Sequence, residues 1–145
     1  MDFRDALNIV NAETTPQPWD YTTDDTTLTV IPDGLRADPG KAEVLVQITA
    51  GKTLAAQLGI TSADLPALVD ALTERRPWDY STILDSLITV TSPGEDGVLL
   101  VITETVWEER DNRAVSTSIR LPETERLPFA SALRRALDVA RGWEA

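Results

Sequence analysis

The chain of 145 residues is long enough for one domain of ordinary size, and its 24 acidic against 13 basic residues leave a net charge of −11. A field of that sign repels phosphate backbones and counts against nucleic-acid binding. There is no cysteine for disulfides or sulfur ligation, no histidine for general-base work, and no apolar run near the ~20 residues of a membrane span.

Asp2–Asn11 reads as a short helix, because Phe3, Ala6, Leu7 and Val10 fall on one stripe and Pro16 and Pro18 then interrupt. The word Pro-Trp-Asp-Tyr follows at Pro18–Tyr21. Thr27–Ile31 alternates like a half-buried strand, and Pro32-Asp33-Gly34 is turn chemistry. Glu43–Thr49 is a β-branched strand, and Ala50-Gly51-Lys52 is a tight turn. Over Thr53–Ile60 the alternation continues, although Thr53–Leu58 also has the composition of a helix; strand is preferred. Thr61-Ser62 is an N-cap for a helix whose stripe is Leu65, Leu68, Val69 and Leu72, stopped by Pro77.

Pro-Trp-Asp-Tyr then recurs at Pro77–Tyr80, and the plan repeats. Strands are predicted around Ile83–Thr91, over Val98–Trp107 and over Ala114–Leu121, with turns at 92–97 and Asp111-Asn112. Thr124 is placed as the cap of a helix to about Arg141, with Ala130, Leu133, Leu137 and Ala140 as its stripe. The fold class expected is α+β: an internally duplicated, pseudo-twofold domain, α-βββ-α-βββ-α, with antiparallel meanders packed on helices. It is one domain, residues 1–145, with a helix at 2–11, a first half at 17–76 and a second at 77–143.

Trp19, Tyr21, Trp78 and Tyr80 are candidate binding residues, as a stacking platform or as anchors for a protein partner. Against that, each Trp can wedge a joint between helix and strand. Arg110, Arg113 and Arg120 are candidates for contact with phosphate or an acidic partner. Nucleic-acid binding would require Trp19, Trp78 and several arginines on one solvent-facing concave surface. The acidic doublets Asp24-Asp25, Glu95-Asp96 and Glu108-Glu109 lack the spacing of a calcium loop, so no metal site is expected. No Gly-rich phosphate loop or nucleophile motif is present, so neither cofactor nor catalysis is expected.

By order of elements, two meanders each closed by a helix resemble the Whirly and PC4-like folds, which bind single-stranded nucleic acid. The opening helix and the acidity resemble the secretion-chaperone-like (YbjN-type) sandwiches, which bind proteins. Charge decides the preference. The expectation is a non-catalytic, cytoplasmic module that engages a protein partner as adaptor, chaperone-like factor or inhibitor, or that self-associates. A single-stranded nucleic-acid-binding protein is the alternative.

Overall fold

The computed structural model describes residues 19–81, 87–91, 97–107 and 112–144. In chain order the elements are β1 (Trp19–Thr23), β2 (Thr26–Pro32), β3 (Glu43–Ala50), β4 (Thr53–Thr61), α1 (Leu65–Thr73), β5 (Trp78–Ser81), β6 (Leu87–Thr91), β7 (Val98–Trp107), β8 (Asn112–Leu121) and α2 (Glu123–Arg141). They form two antiparallel four-stranded sheets, β1-β2-β3-β4 and β5-β6-β7-β8, each in sequential order and each followed by a helix. The expected helix at 2–11 lies outside the described residues.

The mixed α+β class and the antiparallel meanders are as expected, but each sheet has four strands where the sequence predicts three. The two Trp-Asp-Tyr words are themselves strands, β1 and β5. Trp19, Tyr21 and Thr23 alternate with exposed Asp20 and Thr22, which is the pattern of a strand with one face buried. Asp24-Asp25 then closes a two-residue hairpin between Thr23 and Thr26. Asp24 adopts φ 53°, a left-handed conformation that Asp tolerates better than most residues. Thr53–Thr61 is strand β4, joined to β3 through Gly51-Lys52, so the helical alternative is excluded.

Register explains the core. Trp19, Val30, Val46 and Leu58 stand side by side across the first sheet, and Tyr21, Leu28, Ile48 and Ala56 form the next row. In the second sheet Leu100 pairs with Ile119, and Val98 with Leu121. These inward rows close over α2, whose Phe129, Leu133, Ala136, Leu137 and Ala140 are buried, and over Leu65, Leu68 and Leu72 of α1. Leu72 and Leu133 are both fully buried. Alanine at either is expected to cost about 2–5 kcal/mol in denaturant melts, the range for a leucine whose site cannot fully collapse.

The helix starts differ from the expected caps. Ser62 is 2% exposed and lies before α1, whose N-cap position is Asp64. Thr124 sits inside the first turn of α2, and Pro122 holds the cap position. Proline cannot donate to a ladder but suits a helix entry, where a missing donor costs little. The sheets meet where β4 approaches β7: the carboxylate of Glu104 accepts the backbone N–H of Gln57, at 2.7 Å. Among the described residues, no helix is long and apolar enough to cross a membrane.

Candidate functional site

Each sheet has an outer face left to solvent. On the first sheet it reads Thr22, Thr27, Thr29, Gln47, Thr49 and Gln57, with Asp20, Ile31, Glu43 and Leu45. Its polar groups bond across strands: Thr22 with Thr27 at 3.0 Å, and the Gln47 amide donates to Gln57 at 2.6 Å. On the second sheet Val101, Thr103, Ser116, Ser118 and Arg120 share the outer face, with Thr103 and Ser116 hydrogen-bonded at 2.9 Å. These faces are rich in hydroxyls and amides and sparing in charge. Sequence reasoning passed over them, although the signal was there, in the polar half of each alternating strand.

The aromatic words point the other way. Trp19 stacks on Phe129 of α2, with ring centroids 5.2 Å apart, and is packed against the core. Trp78 lies nearly parallel to Tyr80, with centroids at 5.3 Å and an interplanar angle of 7°. The Tyr80 hydroxyl donates to Asp64 at 3.1 Å. Partial burial first, and then the Asp64 carboxylate, push its ionisation above the ordinary tyrosine value. Trp19 and Trp78 therefore serve as packing residues of two different sheets and form no shared platform.

The arginines do not converge either. Arg110 lies outside the described residues. Arg113 and Arg120 stand seven positions apart on β8, so they face opposite sides and lie roughly 23 Å apart at strand rise. Arg126 is buried and donates to the carbonyls of Leu72, at 2.7 Å, and Thr73, at 3.3 Å. Arg134 and Arg141 line the groove between the helices, with Asp70 and Asp138.

Two of the sequence candidates do meet. Tyr21 and Arg120, 99 positions apart, line one open cleft of about 540 Å³ between the β1–β2 hairpin and β8, with Thr23, Asp24, Thr26, Ser118, Ile119 and Pro122. Tyr21 reaches the cleft because it is two residues further along β1 than Trp19 on the same face, about 6.6 Å nearer the hairpin tip. β1 and β8 are both edge strands, so each has a side that no neighbouring strand occupies.

A second polar cluster holds the segment after α2 in place. The Glu144 carboxylate accepts the backbone N–H groups of Gly40, at 2.9 Å, and Ala42, at 3.2 Å, and the Ser62 hydroxyl. The Ser62 hydrogen bond above all holds this carboxyl below the ordinary glutamate value. A carboxyl depressed in the folded state stabilises the fold above its unfolded pKa, and that contribution is lost as pH falls through the folded value. Glu144→Gln is therefore expected to lower Tm at pH 7, with the gap to wild type closing below about pH 4. A gap that persists unchanged into that acid range would refute the charge-assisted role.

No family model matches this chain, and no curated protein does. Solved structures do share its fold. WHY3 from Arabidopsis thaliana superposes with a TM-score of 0.60 at 15% identity, over 88% of this chain and 89% of that one. WHY1 from Arabidopsis thaliana gives 0.62 at 16%, over 88% and 92%. The plant transcriptional regulator PBF-2 gives 0.60 at 14%, over 89% and 86%. The architecture is thus Whirly-like. This overturns the preference for a module engaging a protein partner as adaptor, chaperone-like factor or inhibitor. That preference rested on global charge and on the secretion-chaperone comparison, and the fold follows the other comparison.

Proposed function

We propose that the chain binds single-stranded nucleic acid, without catalysis. The observation that carries this is the Whirly-like fold, matched over 88–89% of the chain by structures that include a transcriptional regulator. The surface expected from the sequence, with Trp19, Trp78 and several arginines together, is not formed; the polar faces of the sheets support the reading instead, because hydroxyls and amides can hydrogen-bond the exposed edges of unpaired bases. The net charge of −11 is a sum over the whole surface, whereas a strand of nucleic acid meets one face. On the outer face of the first sheet, acidic side chains are confined to Asp20 and Glu43 among the residues named above.

Internal duplication belongs to the same proposal, supported by the repeated Pro-Trp-Asp-Tyr word and by two sheets of like strand order, each followed by a helix. Self-association of the 15.9 kDa chain is part of it too, and sedimentation velocity measures it directly.

The test is fluorescence anisotropy of a labelled oligothymidine and of a duplex of equal length, at low and moderate salt. The expected result is saturable binding of the single strand, with the duplex at least tenfold weaker. Equal binding of both, or none at low salt, refutes the proposal.

A further inference from the structure

We propose that the cleft between the β1–β2 hairpin and β8 is a subsite for one unstacked nucleotide, with the base laid on Tyr21 and the phosphate met by Arg120. The inference rests on the nucleic-acid reading and assigns it a place. The cleft has the size of a small-ligand site, about 540 Å³. Its lining supplies what a nucleotide needs. Tyr21 offers aromatic surface, Arg120 a guanidinium, and Ser118 beside it a hydroxyl.

The two Trp-Asp-Tyr words show why Tyr21 has this role and Tyr80 does not. Tyr80 is occupied on its ring by Trp78 and at its hydroxyl by Asp64. Trp19, the equivalent of Trp78, is turned onto Phe129 instead, so Tyr21, half-buried and packed in part against the core, also lines the cleft wall. Arg120 is exposed on the outer face of β8, beside the hydroxyl row of Ser116 and Ser118, so a strand crossing that face would pass the cleft mouth. Asp24 stands in the same lining and opposes a phosphate there.

Labelled oligothymidine is titrated against wild type and the variants Tyr21→Leu, Arg120→Gln, Asp24→Asn and Arg135→Gln. Tyr21→Leu is expected to weaken binding about tenfold, the worth of one stacked base. Arg120→Gln weakens binding and lowers the slope of log affinity against log salt by about 0.7, one phosphate contact on a single strand. Asp24→Asn tightens binding; asparagine accepts the left-handed φ of 53° at this position. Arg135→Gln, an exposed change on α2 away from the cleft, leaves the slope as in wild type. Thermal melts identify any variant that loses affinity by unfolding, and exposed Arg120 serves if Tyr21→Leu does not fold.

If wild type binds and both Tyr21→Leu and Arg120→Gln bind equally well, the cleft is excluded and the general reading stands. If wild type binds no single strand, both fall.

Discussion

Alanine at Gly97 is expected to lower the stability of the fold by about 3 kcal/mol, far more than a single added methyl usually does. Gly97 has φ 89°, and a Cβ there would lie 2.1 Å from the carbonyl oxygen of Leu121 and 3.1 Å from the backbone of Pro122 and Glu123. All three neighbours are main chain, so no side chain can swing away. The position is where the chain enters β7 directly against the passage from β8 into α2. Gly51→Ala is the matched comparison: its φ of 62° has the same sign, but nothing lies within 4 Å of the added carbon. That change carries only the left-handed conformation, about 1–2 kcal/mol. Denaturant midpoints separate the two, and equal costs would show that the backbone around Gly97 simply moves aside.

Arg126→Met is expected to cost about 2–4 kcal/mol, because it removes a buried charged donor from the Leu72 and Thr73 carbonyls and from Glu123 at once. The side chain of Arg126 is 8% exposed. Its guanidinium ties the last carbonyls of α1 to the first turns of α2, and its Nε donates to Glu123 at 3.0 Å. Glu123 also takes Arg75 at 2.5 Å, and these two hydrogen bonds, Arg75 first, hold its carboxyl below the ordinary value. Methionine keeps most of the apolar stem and none of the donors. Arg75→Gln, half exposed, is expected to cost under about 1 kcal/mol, as surface pairs do. If the two variants melt alike, Arg126 is not the clasp between the helices.

Much of this could be read from alternation and stripes alone. The faces of β2 and β3 and the stripes of both helices are where period two and period three-to-four put them, because burial on one side is a local constraint; in β4 alternation puts Leu54 with Ala56, Leu58 and Ile60, but the register shift opposite Ile48 and Thr49 turns Leu54 out to solvent. The strands β1 and β5 escaped because they are short and because a Trp-containing word draws attention to its side chains instead of to its backbone. Ser62 has the sequence of a cap, yet Glu144, 82 positions away, claims its hydroxyl. Arg126 looks like any surface cation on a helix until α1 is placed beside it. Both depend on tertiary contact that no local window contains.

The functional expectation failed for a related reason. Net charge is additive over the sequence, but recognition is decided over an area, and the acidic residues are spread through both halves of the chain. Tyr21 and Arg120 were each visible as candidates. Their meeting across 99 positions was not, since it depends on how two sheets close around α2.

The contact between Glu104 and the Gln57 amide has a meaning beyond joining two sheets. β4 ends its sheet, and its outward N–H groups are the donors that a strand from a neighbouring molecule would need in order to add itself to the ladder. Glu104 occupies one of them near the middle of the strand and sets a negative charge there. A strand approaching this edge would find that donor already taken and a carboxylate beside it.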